Sequence, residues 1–109
     1  MQRLPDDYAI FGESRPLLEN LRRKVFTLGV DIVEDVRTHR IVYGRKTIMR
    51  NFLDVRPSSN GLRITIRKGK SFYDSMKIGV DKGFVVEVSV NDSNLEDAFD
   101  LIKQSYLSV

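Results

Sequence analysis

Two aromatic residues lie among several arginines in the middle of the chain, a combination suited to single-stranded nucleic acid. Guanidinium groups pair with phosphates, and aromatic rings stack on bases at roughly 1 to 3 kcal/mol per base. The candidate nucleic-acid-binding residues are Arg50, Arg56, Arg63, Arg67, Lys68, Lys70, Phe52 and Tyr43. The consensus of an RNA-recognition sheet is absent, so a solvated outer face with both rings buried elsewhere is the alternative explanation.

The charge of the chain is strongly segregated along the sequence. The formal net charge is only +3, but residues 37–70 contain ten basic side chains and one acid, Asp54, which gives that segment +9. The remaining residues hold eight basic and fourteen acidic side chains, a net of −6. One basic surface that faces a polyanion is therefore a working hypothesis. The ten basic residues are Arg37, Arg40, Arg45, Lys46, Arg50, Arg56, Arg63, Arg67, Lys68 and Lys70.

Residues suited to catalysis form no known constellation. His39, the one histidine, lies in a predicted turn with no Ser or Asp arrangement around it. Cysteine is absent, which excludes thiolate metal sites and a disulfide framework and fits a reducing cytoplasm. We expect no enzyme activity, no cofactor and no metal. A small enzyme with a carboxylate site stays open as an alternative, and its candidate residues are Asp31, Glu34, Asp35 and Asp54.

Hydrophobic spacing predicts a helix near each end of the chain. The first follows the N-cap candidate Ser14, contains Pro16 in its first turn and is closed by Gly29. Basic residues in its last turns, Arg22 among them, suit the negative end of the helix dipole. The final helix is predicted from a capping box over residues 93–96. The apolar residues of the two helices are Leu17, Leu18, Leu21, Val25 and Leu28, and Leu95, Ala98, Phe99, Ile102 and Tyr106.

Alternation predicts four or five strands between these helices. The predicted strands cover residues 32–37, 40–44, 48–56, 62–67 and 84–90, with turns at Thr38-His39 and residues 58–61. Residues 68–83 are predicted to be irregular, with one short helical turn near residues 72–76.

The same alternation predicts which side chains leave the sheet on its outer face. Arg63, Thr65 and Arg67 point away from Leu62, Ile64 and Ile66. On the preceding strand, Leu53 and Val55 alternate with the outward candidates Arg50, Phe52, Asp54 and Arg56, although Phe52 is also a candidate for the core.

The predicted fold class is α+β, a mostly antiparallel sheet of four to five strands with the N- and C-terminal helices packed on one face. A chain of 109 residues suits one domain, and we place it at residues 13–109, after a tail or approach segment of residues 1–12 whose Tyr8, Ile10 and Phe11 dock on the core. No apolar run approaches the roughly 20 residues that span a bilayer. We expect a cytoplasmic protein with no membrane partner.

The order of several segments resembles a small prokaryotic domain family of unknown function labelled "predicted transport protein". The resemblance covers roughly residues 8–107 and lies in structural elements: a Tyr-bearing strand at Tyr43, a Phe-x-Asp-x strand at Phe52 and Asp54, and the closing Leu101-Ile102-Lys103-Gln104-Ser105-Tyr106 helix. Members of that family often carry Gly, His and Trp before the last strand, and residues 77–84 here contain neither His nor Trp. The resemblance implies a domain that occurs alone or appended to predicted nucleases and restriction-type defence proteins.

These observations favour a non-enzymatic accessory or binding module with nucleic acid as its partner. A protein-interaction or dimerisation module that docks to a larger protein, or to a second copy of itself, is the main alternative. It would use the uncovered sheet face or an edge strand.

Overall fold

The computed structural model describes residues 10–69 and 71–109 and shows a single α+β domain. A short 3₁₀ helix, Gly12–Ser14, leads into helix α1, Arg15–Phe26, and the chain ends in helix α2, Leu95–Ser108. Between them lie six strands rather than four or five. The strands are β1, Ile32–Val36; β2, Ile41–Arg45; β3, Arg50–Ser58; β4, Gly61–Arg67; β5, Gly79–Asp81; and β6, Val85–Val90.

All pairs in the sheet are antiparallel, and the strand order is β1-β2-β3-β4-β6-β5. The hairpin at Thr38-His39 is confirmed, since the Arg37 amide donates to the Arg40 carbonyl at 2.8 Å. The turn before β4 is confirmed as well, because Ser58 pairs with Gly61. Glycine is required at position 61, where a Cβ would lie 2.1 Å from the Val90 carbonyl oxygen.

One core fills the space between the helices and the inner face of the sheet. The inward residues of β4 are fully buried there, and the stripes of both helices pack on them. Burying each large aliphatic side chain contributes about 1.5 to 3 kcal/mol. Of the residues predicted to dock on the core from the approach segment, Phe11 does so, Ile10 is exposed instead, and Tyr8 lies outside the described residues. Among the described residues, no helix is long and apolar enough to span a membrane.

Several local predictions were wrong. The N-cap of α2 is Asn94 and its side chain makes no cap hydrogen bond, so the capping box from Ser93 does not form. Helix α1 ends at Phe26 with Thr27 as its C-cap, and Gly29 therefore lies beyond its C′ position. Residues 71–78 contain turns and no helix, and strand β5 follows them. Three residues are too few for alternation to reveal a strand.

Candidate nucleic-acid interface

Strand β4 presents its arginines to solvent as the alternation predicted. Leu62, Ile64 and Ile66 are fully buried, whereas Arg63 and Arg67 are exposed. Because α1 and α2 pack on the inner face, no helix of the described residues lies over the side that carries these arginines. We call this side the outward face.

Strand β3 adds Arg56 to the outward face, directly opposite Arg63 in the β3–β4 register. Like charges at directly opposed positions of an antiparallel pair destabilise a sheet. The guanidinium of Arg56 lies 3.3 Å from Asp54, and that of Arg63 lies 3.6 Å from Glu87. Both arginine side chains remain more than half exposed, so these ion pairs are solvated and weak.

The β1–β2 hairpin brings two further arginines to the same face. Alternation from the inward residues of β2 puts Val42 outward, and Arg40, two residues earlier, lies on the same side. Its guanidinium lies 3.3 Å from Asp54, so one carboxylate serves both Arg40 and Arg56. Arg37 pairs with Asp35 at 2.8 Å.

A shallow groove of about 180 Å³ crosses the outward face, and Arg37, Arg40, Asp54 and Arg67 are among the residues that line it. A neighbouring hollow is lined by Arg37, Thr38, His39, Arg40 and Arg56. Within the described parts of the chain, the face thus combines five arginines with three carboxylates, a net excess of positive charge. The arginines are Arg37, Arg40, Arg56, Arg63 and Arg67, and the carboxylates are Asp35, Asp54 and Glu87.

Sequence reasoning missed Arg37 and Arg40 because it placed them at turns and strand ends and did not assign their side chains to a face of the sheet. The signal was present in the predicted hairpin. Val42 lies outward, and alternation back across two residues puts Arg40 beside it.

A β-bulge changes the face of the sheet to which the first residues of β3 point. Tyr43 pairs with Leu53 and Gly44 pairs with Asn51, so Phe52 is the extra residue of the bulge. Arg50 is then in register with Arg45, whose guanidinium lies 4.2 Å from the Tyr106 ring centre under α2. The prediction that Arg50 shares the outward face with Arg56 was therefore wrong, because the bulge reverses the alternation before Leu53.

The two aromatic candidates lie in the core and not on the outward face. Phe52 is 1% exposed and packs edge-on against the ring of Tyr106 at 5.6 Å, and Tyr43 is 0% exposed and packs against Phe26 at 6.1 Å. A base can stack on neither ring in this structure. The alternative explanation, with both rings buried elsewhere, describes their position correctly.

Of the two lysine candidates, Lys68 does not join the arginines of the outward face. Lys68 follows the last residue of β4, and its ammonium group pairs with Asp81 of β5 at 2.8 Å. That ion pair lowers the pKa of Asp81, as does the hydrogen bond from the Gly83 amide. Lys70 lies outside the described residues.

The four carboxylates of the alternative enzyme site lie apart and each is held by arginine. Asp35 and Asp54 belong to the outward face, where they pair with Arg37, Arg40 and Arg56. Glu34 lies under α1, where it accepts hydrogen bonds from Arg22 at 2.5 and 2.6 Å and from the Tyr43 hydroxyl at 2.7 Å. Burial of Tyr43, together with the adjacent Glu34 charge, raises the pKa of the Tyr43 phenol far above its ordinary value.

Asp31 accepts its three side-chain hydrogen bonds from three different residues. Its carboxylate accepts from the Thr47 hydroxyl at 2.6 Å, the Tyr106 hydroxyl at 2.7 Å and Arg45 at 2.8 Å. These donors hold the pKa of Asp31 well below its usual range. Over the described residues, no group of three His, Cys, Asp or Glu side chains is arranged to hold a metal ion.

Comparison with known proteins finds no matching family model, no matching curated protein and no matching solved structure. The resemblance drawn from the sequence therefore stays a prediction, and a function can be proposed only from the geometry of the outward face.

Proposed function

We propose that this protein is a non-catalytic nucleic-acid-binding module whose outward face holds the phosphate backbone. The observation that carries the proposal is the Arg56–Arg63 pair, two like charges directly opposed on the sheet face away from α1 and α2. Such a pair opposes sheet formation, so the stability of the fold does not account for it. A phosphate placed between the two guanidinium groups would remove their repulsion and accept charge-assisted hydrogen bonds from both.

The proposed contact is with phosphates rather than with bases in the groove. Arg37 and Arg40 of the β1–β2 hairpin line the groove with Arg67, and an exposed ion pair such as that of Arg37 with Asp35 contributes little on its own. Recognition of this kind is largely independent of sequence and depends strongly on salt concentration.

The test is a fluorescence-anisotropy titration with labelled single- and double-stranded oligonucleotides in low and moderate salt. We expect measurable binding at about 50 mM salt and a large loss of affinity by about 200 mM, because the release of counterions from the phosphates favours binding less as the salt concentration rises. Absence of binding to both oligonucleotides at the lower salt concentration would refute the proposal.

Self-association is the second candidate, favoured by exposed apolar side chains on and beside the edge strand β1. Val33 on that strand is 44% exposed, and Val30 and Met49, in the turns before β1 and before β3, are almost fully exposed. Met49 also adopts φ +51°, a conformation uncommon for a residue with a side chain. An edge strand can pair with a strand of another chain.

Light scattering over a range of protein concentrations separates the two candidates. A molar mass that rises from monomer to dimer with increasing protein concentration would support pairing through β1 if Val33→Lys returns it to the monomer value. A lysine on an edge strand opposes such pairing. A constant monomer mass would exclude it.

A further inference from the structure

The one exposed phenylalanine of the described chain lies on a hydrogen-bonded turn at the start of strand β6, which pairs with β4. Phe84 lies in the turn between β5 and β6 and is 91% exposed. The turn is closed by a hydrogen bond from the Lys82 amide to the Val85 carbonyl at 2.9 Å. Gly83 supplies the positive φ of +95° that a tight hairpin turn requires.

Three further contacts hold the backbone of the turn that carries Phe84. The Phe84 carbonyl accepts a hydrogen bond from the Lys68 amide at 2.9 Å, which extends the β4–β6 pairing by one residue. The Asp81 carboxylate accepts from the Gly83 amide at 2.8 Å and pairs with the Lys68 ammonium group at 2.8 Å. The ring is therefore presented to solvent from a fixed backbone rather than from a loose loop.

The charges around the ring suit an anionic ligand. Val85, the next residue, is in register with Arg67 of the outward face. The backbone amides of Lys68 and Lys82 make the hydrogen bonds to Phe84 and Val85, and the Lys68 ammonium group pairs with Asp81. An exposed ring on a turn that carries basic residues offers a stacking surface for a base and partners for the adjoining phosphates.

We propose that Phe84 is the base-stacking platform of this protein and that its ligand is single-stranded nucleic acid. The inference rests on the proposed function and names the ligand class of the same surface. A base in a single strand can leave its neighbours and stack on the ring, whereas the bases of an intact duplex are stacked on one another. Phe84 takes the role that the sequence had assigned to Phe52 and Tyr43.

The experiment compares Phe84→Ala with Tyr73→Ala, a matched control. Tyr73 is also largely exposed, at 69%, but its backbone hydrogen-bonds to Gln104 of α2 rather than to the end of β4. We expect Phe84→Ala to weaken single-strand binding by about fivefold to a hundredfold and to change duplex binding by less than about twofold. Phe84→Trp should retain single-strand affinity, and Tyr73→Ala should behave as the wild type.

The outcomes separate the two proposals. If the wild type binds single strands and Phe84→Ala binds them equally well, the stacking inference is wrong while phosphate binding stands. An equal loss on both oligonucleotides would also contradict stacking. If the wild type binds neither oligonucleotide, the proposed function itself fails. Equal urea midpoints for all variants would show that differences in affinity do not arise from unfolding.

Discussion

The arginines between the helices and the sheet and the arginines on the outward face have opposite environments. Arg22 is 6% exposed, makes a two-point contact with Glu34 and lies 5.8 Å from the centre of the Phe26 ring. Arg45 donates to Asp31 and to the Tyr106 carbonyl beneath α2. On the outward face, Arg56 shares Asp54 with Arg40, and among the described residues Arg67 has no carboxylate within ion-pair distance.

The difference separates structural from functional charge. Each inner arginine has a carboxylate partner and packs against an aromatic ring, so its interactions are made within the fold. The hydrogen bond to Glu34 raises the pKa of Arg22, which keeps the guanidinium charged despite its burial. Arg56 and Arg63 on the outward face are more than half exposed, so the fold gains little from their ion pairs. The face of the sheet on which an arginine lies therefore distinguishes a structural from a functional role.

The largest expected effect comes from breaking the inner pair. Glu34→Gln leaves Arg22 as a buried charge without a carboxylate and should reduce the free energy of unfolding by about 3 to 5 kcal/mol. The same substitution on the outward face, Glu87→Gln, removes the partner of Arg63 and should cost no more than about 1 kcal/mol. Urea denaturation of both variants measures the contrast. Equal losses would mean that the arginines of the two faces contribute alike to stability.

A pH-dependent effect is expected at Asp31. Its pKa is lowered in the folded protein, first by the Thr47 hydroxyl and then by Tyr106 and Arg45. A carboxylate of this kind stabilises the fold fully above its unfolded pKa, about 3.9, and the contribution is lost as the pH falls from there towards the lower folded value. Asp31→Asn should therefore flatten the fall in stability below about pH 4.

Urea midpoints measured from pH 6 downwards test this expectation. Thr47→Val removes the first of the donors and should flatten the curve less than Asp31→Asn does. If the urea midpoint of Asp31→Asn falls as steeply with decreasing pH as that of the wild type, the hydrogen bonds around Asp31 do not contribute to stability in acid.

The smallest expected effect on stability is on the outward face. Arg56→Gln and Arg63→Gln should each change the free energy of unfolding by no more than about 0.5 kcal/mol, as is usual for surface substitutions. A double-mutant cycle in low salt should give a repulsive coupling of roughly 0.2 to 1 kcal/mol. An attractive coupling, or a loss above about 2 kcal/mol in either single variant, would mean that the pair serves the fold.

The regular parts of this fold could be predicted from the sequence, and the irregular parts could not. Strict alternation over residues 62–67 identified the outward position of Arg63 and Arg67, because a strand with one buried face permits a single register. The facing of Arg50 and Phe52 was wrong because a bulge adds one residue, and nothing in the local pattern marks it. Gly44, opposite the bulge, is a hint in retrospect, since a Cβ there would lie 2.6 Å from the Asn51 side-chain oxygen.

Contacts between residues distant in the sequence were the second feature that could not be predicted. Arg22 suited the end of a helix dipole, but its partner Glu34 lies on β1, and that pairing depends on how α1 crosses the sheet. The exposed ring at Phe84 was missed because strand β5 was missed. A turn can be recognised only when both of its strands are known.

The salt dependence of binding by matched charge variants tests the central claim most directly. Arg56→Gln with Arg63→Gln removes two charges from the outward face, and Arg23→Gln with Lys103→Gln removes two from exposed positions on the helices. If the outward face holds phosphates, the first variant should bind more weakly. Its slope of log affinity against log salt on single-stranded DNA should be smaller by about 1.4, since each lost phosphate contact contributes about 0.7. The helix variant should keep the wild-type slope. Equal slopes in the two variants would contradict the account.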